Sequence, residues 1–235
     1  MFGDIPMIRT TFLAFGAALA LAACAPQPAK KAEAPAAQAV EPAPVVKAPA
    51  GVYLLDKGHA SLLVRVKHMG LSNYTLRFTD FDATLDFNPS NPIASSVTAS
   101  INPASVKSDY PGDYKATHKG SAFRSWDDDV AKNPLWLNAN AHRTITFTST
   151  ALTMTGPRTG KLTGDLNFRG VTKPVTLDVT FNGDTVIPWL GDKNAIGFSA
   201  KGGLKRSDFG MDNLMQAVSD SVEIVIEAEF HQKTA

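Results

Sequence analysis

The chain contains one cysteine, Cys24, among 235 residues. A single thiol closes no intrachain disulfide, and its place near the start leaves everything downstream without a thiol nucleophile or a Cys-x-x-Cys metal site. The sequence also lacks a Gly-x-Ser-x-Gly elbow, a Gly-rich phosphate loop and a His-Glu-x-x-His pair, which removes the usual hydrolase, nucleotide-hydrolase and zinc-peptidase signatures. No apolar run approaches the roughly 20 residues that a membrane-spanning helix requires. Charge of neither sign prevails. Four of the 23 Lys and Arg and three of the 22 Asp and Glu precede residue 51, so from Gly51 onward both signs number 19. A domain without net charge or a basic stripe has no long-range attraction for a polyphosphate, so nucleic acid is not an expected partner.

What is present begins with an address. Counting from Met7, the chain reads Met7-Ile8-Arg9-Thr10, then an apolar run over 12–20, then Leu21-Ala22-Ala23-Cys24. A short basic start, an apolar stretch of about ten residues and small residues at its end are the parts of a secretory signal. Asp4 in the stretch before Met7 suits such a signal poorly, which leaves Met1 and Met7 as alternative starts. Leu-Ala-Ala-Cys resembles the lipobox of bacterial lipoproteins, which implies that residues 1–23 are removed and Cys24 is acylated; an ordinary signal peptide is the competing reading. Several acyl chains would hold the protein firmly, since one chain alone binds only marginally. Ala25 stands where resemblance to enterobacterial lipoproteins would link Asp to inner-membrane retention, so the expected location is the periplasm, anchored to the outer membrane. Ala and Pro fill 16 of the 26 positions in 25–50, with no aromatic residue. Residues 24–50 therefore read as a semi-extended linker that forms no packed core.

From Gly51 to Ala235 the dominant period is two, as expected for strands with one buried face. Leu62, Val64, Val66 and His68 share one parity, as do Tyr74, Leu76 and Phe78. Phe81, Ala83, Leu85 and Phe87 take the opposite one, which predicts a break or bulge at Thr79-Asp80. Further alternation covers 97–101, 145–147, 162–168, 175–181, 196–200 and 222–230. Gly170 and Asn182-Gly183-Asp184 read as turns. About eight one-faced antiparallel strands predict an all-β sandwich or closed barrel, and a barrel of that size has room for side chains or for one ligand. Residues 108–140 show no alternation. A short helix starting near Ser108 or Asp109 and an irregular loop are expected there, with Trp126, Leu135 and Trp136 packed onto the barrel mouth.

The residues expected to line the interior are Leu62, Val64, Val66, His68, Phe78, Phe147, Leu166, Phe168, Leu177, Phe198, Ile224 and Ile226. An interior of this composition is apolar. His68 is either a core histidine satisfied by a carbonyl or a polar group fixing one end of a bound molecule. Arg206 either pairs with Asp208 at a strand end or faces an anionic head group, for which its planar fork is suited. Asp56 and His59 are a hydrogen-bonded pair three apart or a surface coincidence. His59 and His68 are separated by an odd number, which puts them on opposite faces of a continuous strand, and His231 points outward. No metal site and no catalytic residue is expected.

Four segments in order resemble the YceI-like family, bacterial lipocalin-like proteins that bind polyisoprenoids. They are Tyr53-Leu54-Leu55-Asp56 with His59-Ala60-Ser61 and Val64-Arg65-Val66-Lys67-His68-Met69-Gly70-Leu71-Ser72; then Gly164-Asp165-Leu166-Asn167-Phe168-Arg169-Gly170-Val171-Thr172-Lys173-Pro174-Val175; then Gly197-Phe198-Ser199-Ala200 with Arg206-Ser207-Asp208-Phe209-Gly210-Met211; then Val218 with Val222-Glu223-Ile224. The middle departs from the family pattern. Residues 112–119 match its Arg-Asp-x-His-Leu stretch loosely, Trp136-Leu137-Asn138 stands for its paired Phe, Arg143 replaces a common Pro, and the connection over 125–137 is longer.

The resemblance implies an eight-stranded antiparallel lipocalin-like barrel with helical elements, often paired as a homodimer. It implies no cofactor beyond a bound isoprenoid lipid, of the quinone or polyprenyl phosphate type, carried or stored in the lumen by a protein that is not an enzyme. Two readings compete with it: a structural or adaptor barrel filled by its own rings at Phe78, Phe147, Phe168 and Phe198, and an enzyme using His68 with Arg206 on a bound lipid.

Overall fold

Alternation of apolar and polar residues becomes strand pairing in the computed structural model, which describes residues 44–233. The signal-like segment, Cys24 and most of the Ala/Pro-rich stretch lie outside the described residues. The strands are β1 (Gly51–Leu55), β2 (Ser61–His68), β3 (Ser72–Phe78), β4 (Phe81–Phe87), β5 (Ser96–Ile101), β6 (Val106–Lys107), β7 (Ile145–Met154), β8 (Thr159–Phe168), β9 (Val171–Ile187), β10 (Lys193–Lys205) and β11 (Val218–Gln232). All pairings are antiparallel. The order β1-β4-β5-β7-β8-β9-β10-β11 closes through a β1–β11 pairing, so of the sandwich and the closed barrel that the alternation left open, the chain forms the eight-stranded antiparallel barrel that the resemblance implies.

β11 is long enough to serve two neighbours. Its last residues pair with β1, at Tyr53↔Gln232, Leu54↔His231 and Leu55↔Phe230. Its earlier part pairs with β2, from Glu227↔Ser61 back to Val218↔His68. β2, β3 and β6 thus continue the wall at one end of the barrel, and β6 ends that extension without pairing to β7. The break predicted at Thr79-Asp80 lies between β3 and β4. There the Ser105 hydroxyl accepts from the backbone N–H groups of Thr79 and Asp80, at 3.2 and 3.0 Å, which satisfies donors that the bend removes from the ladder.

Two predicted features take another form. Gly170 is a tight turn as expected, with Arg169 and Gly170 both at positive φ, the geometry of a two-residue hairpin. Asn182-Gly183-Asp184 is not a turn but lies inside β9. The register against β10 moves from Gly197↔Gly183 to Phe198↔Phe181, so Asn182 is the extra residue of a β-bulge. Gly183 sits at φ +150°, and a glycine of that kind serves a bulge as readily as a turn. The hairpin instead closes at Pro188–Leu190, with Gly191 in the left-handed region.

The 108–140 insertion holds two short helices, α1 (Tyr114–Thr117) and α2 (Trp126–Lys132). Neither starts at Ser108 or Asp109. α1 is capped by Asp113, which accepts from the N–H groups of Lys115 and Ala116, and α2 by Ser125, which accepts from that of Asp128. The carboxylate of Asp127 accepts from the N–H and hydroxyl of Ser108, so this serine anchors α2 rather than starting a helix. Trp126 and Trp136 reach the barrel mouth as expected, whereas Leu135 is 58% exposed.

Packing also begins earlier than composition indicates. Residues 44–50 lie against the barrel: Ala48 is buried, and Asp184 accepts from the N–H groups of Lys47 and Ala48, both at 2.9 Å. The Tyr53 hydroxyl donates to the Pro49 carbonyl at 2.8 Å.

Candidate functional site: an apolar lumen

The inward faces of the strands enclose a cavity of about 770 Å³. Cross-strand registry builds its wall in rows. Leu62 on β2 stands between Ile226 and Phe78, Val64 between Ile224 and Leu76, and Val66 between Val222 and Tyr74. On the opposite wall Phe147 pairs with Leu166, and Leu162 with Leu177. Phe168 and Phe198 complete the set, and all twelve residues expected inside line the cavity. Such rows follow from the period of two, because directly paired residues on adjacent strands share a face.

The lumen is not filled by its own rings. Phe78, Phe147, Phe168 and Phe198 lie along the wall and leave the central volume open. Glycine makes part of this arrangement possible. A Cβ at Gly164 would fall 2.3 Å from the Phe147 ring, so only glycine lets that ring lie flat against β8.

His68 lines the cavity and is exposed, so it is a rim residue rather than a core histidine. Beside it the rim is aromatic. The Trp126 indole donates to the Tyr74 hydroxyl at 2.9 Å, and Tyr110 packs 6.2 Å from Trp126, centroid to centroid. Behind these rings the Tyr114 hydroxyl donates to buried Asp129 at 2.6 Å. Burial, aided by that carboxylate, pushes the Tyr114 hydroxyl above its usual range. The sequence placed Trp126 and Trp136 at the mouth, but gave no sign of Tyr110 or of the Tyr114–Asp129 pair, because residues 108–140 show no visible period.

Arg206 lines the cavity, but its guanidinium is engaged by the protein itself. It is 2% exposed and makes no ion pair with Asp208. Its Nε donates to the Ser219 carbonyl at 3.0 Å; its terminal nitrogens donate to the carbonyls of Met211 and Val218, both at 2.9 Å, to Asn213 Oδ1 and towards Met215 Sδ. All five N–H donors are therefore directed into the 206–219 connection, and none remains for a head group. Burial lowers the pKa of this guanidinium.

Arg169 plays a related part that the sequence did not reveal. Its guanidinium donates to the carbonyls of Pro134, Trp136, Phe209 and Gly210, joining the insertion to the turn after β10. The other end of the lumen is bordered by Pro44 and Val46 from the segment before β1, and by Arg158, whose guanidinium lies 6.0 Å from the Phe181 ring centroid.

Asp56 and His59 form the predicted pair, with Nδ1 2.8 Å from Oδ2, while the other carboxylate oxygen caps the Gly58 N–H at 2.9 Å. The hydrogen bond from His59 holds the Asp56 carboxyl below its ordinary range and raises His59 correspondingly. The pair stands outside the lumen.

A closed antiparallel barrel around an apolar cavity with an aromatic rim has the architecture of a small-ligand-binding barrel. The chain belongs to the YceI-like family: the model of the YceI-like domain matches residues 53–230. It is 36% identical over 179 residues to Protein YceI of Escherichia coli O6:H1, covering 75% of this chain and 85% of that one. It is 34% identical over 185 residues to a UPF0312 protein of Ectopseudomonas mendocina, covering 78% and 88%. Among solved structures, the YceI protein of Campylobacter jejuni superposes with a TM-score of 0.59 at 28% identity, over 72% of this chain and 90% of that one. A polyisoprenoid binding domain from Saccharophagus degradans, implicated in plant cell wall breakdown, shares the fold at 10% identity, with a TM-score of 0.52 over 78% and 99%.

Proposed function

We propose that this domain binds a long isoprenoid lipid in its lumen and carries or stores it in the bacterial periplasm, tethered to the outer membrane through an acylated Cys24. The observation that carries the reading is the open cavity of about 770 Å³ with an almost wholly aliphatic and aromatic wall. Membership of the YceI-like family supports it, and so does the barrel shared with a domain described as polyisoprenoid binding.

The physics of the cargo explains the design. Burying one methylene is worth about 0.8 kcal/mol, so a forty-carbon tail carries a hydration cost on the order of 30 kcal/mol. Such a molecule has no useful free concentration in water and crosses an aqueous compartment only when enclosed. Transfer from bilayer to lumen exchanges one apolar surrounding for another, so a carrier can load and unload without a large net affinity. Exposed His68 and the Tyr74–Trp126 pair are polar groups in the cavity lining and would orient the head of the ligand. The reading is non-catalytic: Arg206 is consumed by backbone carbonyls, and His68 has no nucleophile as hydrogen-bond partner among the described residues.

Native mass spectrometry of the protein purified gently from a bacterial host, with lipid identified after release, tests this directly. A bound quinone or polyprenyl species is expected, and the same spectrum reads whether the chain forms the homodimer that the resemblance implies. A clean unliganded mass that persists after ubiquinone is supplied would overturn the carrier reading in favour of a structural barrel.

A further inference from the structure

The seam that closes the barrel is short. β1 meets β11 through three residue pairs, after which β11 passes to β2. At the end of that seam, on the outer wall, four side chains with metal-binding atoms converge. Glu229 and His231 are two apart on β11 and so share its outward face. Asp56 follows β1 directly and is locked beside them by its own N–H, which donates to the Glu229 carbonyl at 2.8 Å.

One ligand atom from each of Asp56, Glu229 and His231 lies within 4.8 Å of the others. His231 Nε2 stands 3.4 Å from Asp56 Oδ2, and His59 Nδ1 approaches the same oxygen at 2.8 Å. His231 Nε2 is shut off from solvent and makes no hydrogen bond. A buried imidazole nitrogen aimed at a carboxylate without bonding to it is an unsatisfied polar atom that calls for a partner.

We propose that Asp56, Glu229 and His231, with His59 as the fourth donor, bind a divalent transition-metal ion such as Zn²⁺ and clasp the β1–β11 seam. Imidazole and carboxylate donors in this ratio suit zinc and its neighbours, whereas calcium and magnesium take all-oxygen sets. Bonds of about 2.0 Å in a tetrahedron put ligand atoms roughly 3.3 Å apart. The 3.4 Å between His231 and Asp56 already has that length. His59, whose side chain is 69% exposed, is free to swing from its hydrogen bond to a ligand position, and exposed Glu229 is similarly unconstrained. The ion would bridge two strands whose mutual ladder is only three pairs long, so it would stabilise barrel closure independently of any cargo in the lumen.

The test is calorimetric titration of Zn²⁺ into the full chain, prepared without a histidine tag and stripped with chelator, alongside Glu229→Gln and His231→Ala. The Cys24 thiol, where not acylated, is constant across the set. One saturable site per chain is expected, weakened at least about tenfold in each variant. A rise in the wild-type melting midpoint on adding Zn²⁺ is expected too, reduced in both variants. Glu229→Gln changes an exposed side chain and keeps the comparison valid if His231→Ala folds poorly. No saturable binding, or binding in Glu229→Gln equal to wild type, overturns the proposal. Neither outcome bears on the lipid, which is read separately by mass.

Discussion

The Trp126 indole N–H donates to the Tyr74 hydroxyl across 2.9 Å, so the first residue of α2 is fixed to the middle of β3 at the rim of the lumen. This bond spans the part of the wall where β6 and β7 do not pair, and α2 supplies the missing cover. Tyr74→Phe leaves the indole N–H without its acceptor. A loss of about 1 kcal/mol in urea denaturation is expected, with faster amide exchange in α2 than in the barrel strands. Unchanged exchange in α2 would mean that the helix is held by packing alone.

Val64 and Ile226 stand on the lumen wall in neighbouring rows of the β2–β11 ladder. Val64→Trp or Ile226→Trp is expected to project an indole into open volume, with a destabilisation of roughly 1–3 kcal/mol at most, while co-purified lipid falls at least several-fold. Wild-type lipid content in both folded variants would move the binding site out of the lumen.

Arg206→Met should cost about 3 kcal/mol, because it strands the carbonyls of Met211, Val218 and Ser219 inside the 206–219 connection. Arg206→Lys should rescue little of it, since an ammonium cannot reproduce a planar fork reaching three carbonyls. Denaturant midpoints of the two variants decide the matter; full rescue by lysine would show that charge, not geometry, is what the connection needs.

Asp184→Ala removes the acceptor of the Lys47 and Ala48 N–H groups. Residues 44–48 are expected to come away from the end of the lumen, seen as protease cleavage there at doses the wild type resists, with a stability loss of about 2 kcal/mol.

The insertion should also be the acid-sensitive part of the protein. The Lys132 ammonium, helped by the Arg124 N–H, holds the Asp128 carboxyl well below the ordinary carboxylate range. A depressed folded-state value means that the unfolded chain binds the proton first on acidification. The stabilisation is therefore complete above the unfolded value of about 3.9 and disappears as pH falls through the folded one. Amide protection of α2, corrected for the intrinsic pH dependence of exchange, should fall more between pH 6 and pH 3 than that of β8–β10. In Asp128→Asn that difference should shrink.

Much of this was legible before any coordinates. The parity of Leu62, Val64 and Val66 placed three wall residues, and the parity change after Phe78 located the break between β3 and β4. Turn chemistry was less discriminating. Gly170 closes a hairpin while Gly183 sits in a bulge, because both geometries draw on the same backbone freedom, and only pairing with β10 separates them. Composition also misassigned residues 44–50, since docking there depends on one distant carboxylate, Asp184, rather than on apolar content.

Local sequence determined which residues are strands and which face of each is apolar, because a strand's two faces alternate regardless of its neighbours. Tertiary structure decided whether the enclosed faces would meet or leave space, since that depends on how eight strands tilt and close. It alone turned Arg206 from a candidate ligand contact into a fully occupied scaffold. It also brought His231, outward on the last strand, to Asp56 at the end of the first: a contact made only when the barrel closes has no period in the chain by which to announce itself.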